Sequence, residues 1–265
     1  MCGLVGYAGF AGHVPQDTEN TSLKEMTETL ACRGPDASAV WAEGAAGLGH
    51  TRLAIVDLVG GRQPMVLARD GRTVLAVAFT GEIYNHARLR SELTALGHRF
   101  TTRRDSEVVL HAIDAWGEAA SARLEGRFAY AAWEPGPRRL TLVRDRFGIK
   151  PLYYARIGDA VVFGSEPKAV LTHPAVPARL DVEGLRELLR RFCGIRPALL
   201  RRPYPARPSV AKQPATDARG RRETAQPVTV KRAVAGPCAL GSHPTVLLAR
   251  GRASTRSRAA RTVIF

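Results

Sequence analysis

The second residue of the chain is a cysteine, directly behind the initiator Met1. Removal of Met1, which a small second residue permits, leaves Cys2 with a free α-amine beside its own thiol. Such an amine has a pKa of about 7.7–8.0, against about 10.4 for lysine, so roughly a seventh of it is an unprotonated base at pH 7. Base and nucleophile on one residue are the arrangement of N-terminal nucleophile acyl transfer. Taken alone, a cysteine at position 2 carries little information and is compatible with chance.

Positioning such a residue requires a folded frame, and residues 1–189 supply one. Leu23–Leu30 and Asn85–Leu96 carry helical periodicity; in the second, Leu89, Leu93 and Leu96 recur at i, i+4 and i+7, and Gly97 provides a stop. A third helix is expected after Asp105–Ser106, with Val108, Val109, Ala112, Ile113 and Trp116 on one face, ending at Gly117. Strands are expected at Leu4–Ala8, Ala39–Trp41, Leu48–Thr51, Val74–Phe79, Phe128–Trp133, Leu140–Arg144, Leu152–Ala155 and Val161–Ser165. The turns Pro135-Gly136-Pro137 and Ile157-Gly158-Asp159 point to antiparallel hairpins. Helices grouped between runs of strands suggest an α+β layered fold.

The 265 residues hold 39 Lys+Arg against 24 Asp+Glu, a formal net charge of +15. So basic a balance invites a nucleic-acid reading, but its distribution argues against one. Residues 1–189 contain 22 charges of each sign, whereas residues 190–265 contain 17 Lys+Arg and only Asp217 and Glu223. Tyr204 is the only aromatic between Phe192 and Phe265, so this segment offers no stacking platform for bases. It also lacks the periodicity that would build a core, and the amphipathic pattern of Val182–Leu189 stops where it begins. No run approaches the roughly 18 apolar residues of a membrane-spanning helix. Four scattered cysteines, Cys2, Cys32, Cys193 and Cys238, with no C-x-x-C pair and no secretory signal, disfavour a zinc site or a disulfide framework and suggest a reducing cytoplasm.

Around Cys2 the chain carries an ordered set of motifs: Met1-Cys2-Gly3-Leu4-Val5-Gly6, Arg33-Gly34-Pro35-Asp36, Gly49 to Asp57, Gln63-Pro64, Gly81-Glu82-Ile83-Tyr84-Asn85, Asp145 to Tyr154 and Gly164 to Ala169. Together they resemble the class II glutamine amidotransferases, nearest to the glutamine-dependent asparagine synthetases, across residues 1–189. The resemblance implies an N-terminal nucleophile fold, a four-layer α/β/β/α sandwich of two antiparallel sheets, in a domain over residues 2–189 followed by an irregular basic tail, 190–265. It implies hydrolysis of L-glutamine: the Cys2 thiolate attacks the side-chain amide, the tetrahedral oxyanion collapses with loss of ammonia, and water frees the glutamyl thioester. Both charged ends of the substrate need partners. By resemblance, Arg52 offers its guanidinium to the carboxylate, Glu82 and Asp105 accept from the ammonium, and the backbone of Leu53, Ala54, Ile55 and Val56 lines the pocket. Read on their own, Arg52 would be a surface ion-pair partner and Asp105 the N-cap of the helix near Ser106.

The oxyanion site departs from the family pattern. Asparagine synthetases commonly place Asn-Gly-Glu where this chain has Thr80-Gly81-Glu82, and the Asn amide and Gly N–H are the donors. Thr80 can donate one hydrogen bond from a shorter side chain, and Gly81 N–H stays available. Losing one such donor costs about 3–4 kcal/mol, so the expectation is a working but slower glutaminase. Cys32 stands where many relatives have His and is read as a small buried filler. Arg33-Gly34-Pro35-Asp36 is either a structural turn or part of a lid over glutamine. Asn85 either caps the following helix, the preferred reading, or supports the site.

In asparagine synthetases an ATP-using domain with a Ser-Gly-Gly-Leu-Asp-Ser type loop follows, and no such loop occurs in these residues. The expectation is therefore the glutaminase half of an enzyme of asparagine biosynthesis. No cofactor or metal is expected in this chain, since ATP, Mg and aspartate would belong to a missing synthetase domain. A shift of reading frame near Leu189–Arg191 would explain the tail. Neither nucleic acid nor membrane is expected as a partner, and a homodimer is left open. Two alternatives stand beside this: a non-catalytic regulatory protein with a basic nucleic-acid-binding arm, which an intact Cys2 disfavours, and an amidotransferase feeding sugar or purine precursors, which Asp145–Tyr154 and Gly164–Ala169 disfavour.

Overall fold

The computed structural model describes residues 1–9, 16–54 and 62–178, together with two short strands further on. The expected helix at Val182–Leu189 and most of the basic tail lie outside the described residues. The chain divides into two units, Met1–Val176 with Ala225–Phe265, and Pro177–Thr224; the elements below all belong to the first.

Strand β1 (Gly3–Ala8) is buried along its whole length, as its unbroken small and apolar composition requires of a strand covered on both faces. It pairs antiparallel with β3 (Ala46–Arg52) on one side and with β9 (Ala160–Gly164) on the other. β2 (Ala37–Glu43) extends the sheet beyond β3, and β8 (Tyr153–Ile157) extends it beyond β9. The hairpin expected at Ile157-Gly158-Asp159 joins β8 to β9, with Gly158 in the left-handed region at φ 59.

The second sheet runs β7 (Arg139–Arg144), β6 (Gly126–Glu134), β5 (Arg72–Ile83), β4 (Met65–Arg69), all antiparallel. Two short strands, β10 (Thr229–Val230) and β11 (Arg261–Val263), extend the sheets beyond β7 and β8 respectively. The two sheets face each other through Leu4, Leu48 and Phe163 of the first, set against Ala76, Ala78, Ala129, Ala131 and Trp133 of the second. The four alanines of β5 and β6 make room for the larger side chains opposite, which is how a packed interior reaches its density.

Helices close the outer faces. On the first sheet, α1 (Gln16–Glu28) and α5 (Pro167–Thr172) seal a core of Val5, Tyr7, Leu23, Met26, Val162 and Val170. On the second, α2 (His86–Ala95), α3 (Asp105–Trp116) and α4 (Ala120–Arg123) bury Leu89, Leu93, Val108, Val109 and Ile113 against Val77, Phe79 and Tyr130. The result is the expected four-layer α/β/β/α sandwich. Among the described residues, no helix is long and apolar enough to cross a membrane.

Candidate functional site

Cys2 lies immediately before β1, and the register Gly3↔Thr51 brings it beside Arg52 and Leu53 at the end of β3. Its thiol donates to the Leu53 carbonyl, with Sγ 3.8 Å from the oxygen. Its own carbonyl oxygen accepts two hydrogen bonds, from Thr80 Oγ1 at 3.0 Å and from Arg33 Nε at 3.2 Å. A main-chain oxygen gripped by two strong donors fixes the peptide plane, and with it the direction in which the thiol leaves the chain. The Met1 ammonium donates to the Arg33 carbonyl at 2.7 Å, while the rest of Met1 stands largely in solvent.

Arg33 opens a four-residue clamp. Gly34 packs so close to the end of β3 that a Cβ there would stand 2.5 Å from Arg52 N. Asp36 N–H donates to the Arg52 carbonyl at 3.0 Å, and Asp36 Oδ2 accepts the Ala54 N–H at 2.6 Å. Arg33-Gly34-Pro35-Asp36 therefore holds the Cys2 carbonyl at one end and the Arg52–Ala54 segment at the other, the structural one of its two readings. Cys32, one residue earlier, is exposed and not a buried filler, because it points outward from the turn that follows α1.

Arg52 is buried, 8% exposed, and not the surface residue its type alone suggests. Its charge reaches His50, whose pKa is lowered to about 4 chiefly by burial, with Arg52 and Arg104 adding to the effect against the Phe79 hydrogen bond. Neutral His50 donates Nε2–H to the Phe79 carbonyl at 3.1 Å and so ties β3 to β5 one residue before Thr80. Leu53 and Ala54 follow Arg52 directly; Ile55 and Val56 lie outside the described residues.

β5 continues past its apolar run, so Thr80, Gly81 and Glu82 are strand residues paired with Ala129, Phe128 and Arg127 of β6. Gly81 has φ 140, and a Cβ there would stand 2.2 Å from the Arg127 carbonyl oxygen; only glycine fits. Both oxygens of the exposed Glu82 carboxylate bond Arg127 Nη2, at 2.9 and 3.1 Å. Asp105 is the first residue of α3, not its N-cap, and its Oδ2 accepts the Ile83 N–H at 2.9 Å, tying α3 to the end of β5. Asn85 makes no side-chain cap on α2; it bridges instead to Arg123 O and Glu125 N, at 2.9 and 3.1 Å. Its carboxamide matches a peptide edge in both donor and acceptor, and so joins the chain entering β6.

The loop after β7 supplies one more group. Asp145, 1% exposed, accepts N–H bonds from Phe147 and Ile149 at Oδ1, both at 3.0 Å, and from Phe128 and Lys150 at Oδ2, at 3.3 and 3.0 Å. Lys150 is thereby turned inward, 8% exposed, with Nζ 3.4 Å from Met1 Sδ. Sequence reasoning placed Arg33 only in a turn or a lid, not on the Cys2 carbonyl, and gave Lys150 no site role. Both stand inside matched motifs, but a motif does not say which way a side chain points. Among the described residues, no cluster of His, Cys, Asp and Glu could hold a metal ion.

Comparison with known proteins places this geometry. Residues 1–203 match the family model described as the glutamine amidotransferase domain. The chain is 44% identical over 188 residues to asparagine synthetase [glutamine-hydrolyzing] 3 of Bacillus subtilis, covering 71% of this chain and 30% of that protein. It is 36% identical over 171 residues to asparagine synthetase [glutamine-hydrolyzing] 3 of Arabidopsis thaliana, covering 64% of this chain and 28% of that protein. Among solved structures, glutamine phosphoribosylpyrophosphate amidotransferase from B. subtilis is similar with a TM-score of 0.53 at 22% identity, over 64% of this chain and 43% of that one, a likeness of fold. The chain thus spans under a third of the length of these synthetase relatives.

Proposed function

Because the chain belongs to the glutamine amidotransferase domain family, we propose that it hydrolyses the side-chain amide of L-glutamine, with Cys2 as nucleophile, to supply ammonia for amide formation of the asparagine-synthetase kind. The observation that carries this reading is the double grip of Thr80 and Arg33 on the Cys2 carbonyl, which aims an N-terminal thiol at the buried end of β3 where Arg52 lies.

With Met1 removed, the Cys2 α-amine takes the thiol proton. The thiolate adds to the amide carbon, and the carbonyl π pair moves onto oxygen. The amine's proton then passes to the amide nitrogen as the C–N bond breaks, releasing ammonia. Water adds to the resulting thioester, the C–S bond breaks, and glutamate leaves with the thiol restored. Gly81 N–H and Thr80 are the proposed oxyanion donors, Arg52 the carboxylate partner, Asp105 and Glu82 the acceptors for the substrate ammonium, and the backbone from Leu53 to Val56 the pocket wall. Thr80 already donates its hydroxyl hydrogen bond to the Cys2 carbonyl, so Gly81 carries the larger share of that stabilisation. The ATP-dependent use of the ammonia on aspartate belongs to the same proposal and requires a synthetase site. A thiol nucleophile must stay reduced, which suits the cytoplasm.

Covalent labelling tests the reading. A glutamine analogue bearing an electrophilic diazoketone in place of the amide should attach to the Cys2 sulfur of the Met1-processed chain, found by peptide mass, and glutamine should protect. Labelling spread over Cys32 or other residues, or unaffected by glutamine, would contradict it.

A further inference from the structure

We propose that Lys150 is a positioning residue for the base of this reaction: its ammonium keeps the Cys2 α-amine, once Met1 is gone, in the unprotonated form that accepts the thiol proton. The inference rests on the glutamine-hydrolysing reading above.

The first support is place. Lys150 Nζ is 3.4 Å from Met1 Sδ, and that sulfur is only a few covalent bonds from the Cys2 nitrogen. Ammonium and amine therefore lie within about 10 Å, one Debye length at about 0.1 M salt. Cleavage of Met1 removes the sulfur that Lys150 contacts and creates a second nitrogen base in the same space.

The second support is construction. A lysine normally carries its charge out to water on a flexible stem and is almost never fully buried unless paired. Here the main chain is pinned at both ends, the Lys150 N–H by Asp145 Oδ2 at 3.0 Å and the carbonyl by Arg144 Nε at 2.8 Å. Arg144 Nη2 also donates to the Gly148 carbonyl. Phe147 and Ile149 stay in solvent, 82% and 55% exposed, while Lys150 goes in at 8%. The loop spends its hydrogen bonds on turning this one side chain toward the N-terminus, yet no carboxylate of the described residues forms a salt bridge with it.

The third support is charge. Burial, first, holds the Lys150 ammonium below the ordinary lysine range; Arg127 of β6 and Arg33 of the clamp push the same way, while Glu82 of β5 and Cys2 oppose them. Glu82 is already bonded to Arg127, and Glu166 to Arg33. Those arginines and carboxylates offset one another, which leaves the Lys150 ammonium as the net positive charge of this group near the amine. A like charge nearby disfavours the protonated amine, and the same charge favours the oxyanion that follows. Once the amine has taken the thiol proton, that repulsion also helps it hand the proton to the departing nitrogen.

The test is the pH dependence of kcat/KM for ammonia release by the full chain, with Met1 removal verified by intact mass, in wild type, Lys150→Met, Lys150→Gln and Lys150→Arg. In both uncharged variants the acidic limb should move up by about half to one pH unit, a loss of about three- to tenfold near pH 6.5 that fades above about pH 8.5. Lys150→Arg should restore the wild-type midpoint. An unmoved midpoint, or a loss equal at every pH, would overturn the role given to Lys150. Absence of ammonia release from the wild type, or release unaffected by Cys2→Ala, would instead overturn the glutaminase reading beneath it.

Discussion

The Thr80 hydroxyl donates to the carbonyl of Cys2 across 3.0 Å, linking the strand that carries the expected oxyanion residues to the residue expected to act as nucleophile. A threonine in place of the family's common Asn thus does more than shorten a donor: its proton is engaged in holding Cys2. Thr80→Val keeps the shape and removes that bond. It should lower kcat for glutamine roughly tenfold, about 1.4 kcal/mol, while Thr80→Ser stays near wild type. Thr80→Asn, whose carboxamide reaches further, should raise kcat; an unchanged or lower value would mean that the hydroxyl already serves the oxyanion.

Gly81 is constrained both by its φ of 140 and by the Arg127 carbonyl, 2.2 Å from where a Cβ would stand. Gly81→Ala must push β5 away from β6 at the point where the proposed oxyanion N–H is presented. A loss of about 1–3 kcal/mol of stability by urea unfolding is expected, with glutaminase activity falling by at least about a hundredfold. Activity within twofold of wild type would show that Gly81 lies outside the site.

His50 makes stability depend on pH. Its pKa is about 4 in the folded protein against 6.5 for the free side chain, so below 6.5 the unfolded chain takes up a proton that the folded one refuses. Stability is therefore full above about pH 6.5 and falls as pH drops toward about 4, by about 1.4 kcal/mol per unit. His173, likewise lowered to about 4 by burial, acts in the same direction. Urea unfolding at pH 7.5 and pH 5 should show a loss of about 2 kcal/mol for His50 alone, and His50→Gln should remove that part of the slope.

Asp145 gathers four main-chain N–H groups, and a buried carboxylate so satisfied cannot be removed without leaving donors unpaired. Asp145→Ala should cost about 3 kcal/mol or more, read as a lower urea midpoint. Asp145→Asn, which keeps the acceptor oxygen but adds an NH₂ facing other donors, should cost less than Ala and still more than a surface substitution.

Much of this was legible in the residues. Leu4–Ala8 and Val161–Ser165 are short runs rich in apolar residues and the Leu89/Leu93 stripe has helical spacing, and each lies within a residue of where it was expected. β4 was not expected, because Met65–Arg69 is an edge strand, half exposed and without a clean apolar face. α5 has six residues, too few to show a helical period, although Pro167 marks its first turn. The site divides in the same way. Cys2, Arg52, Thr80, Gly81, Glu82 and Asp105 could be named from motif residues, but the partners they meet could not. Glu82 on Arg127, Asp105 on the Ile83 N–H and Asn85 on the 123–125 backbone are set by strand register and helix placement, which the linear pattern does not contain. Cys32 was misread because burial was inferred from residue type, whereas its turn faces solvent.

The most direct measurement is initial-rate ammonia release from glutamine by the purified, Met1-processed chain, beside Cys2→Ala prepared identically. The predicted result is saturable release by the wild type, lowered by at least about a thousandfold in Cys2→Ala. Equal rates in the two proteins, or no glutamine-dependent ammonia from either, would contradict Cys2 as the nucleophile of a working glutaminase.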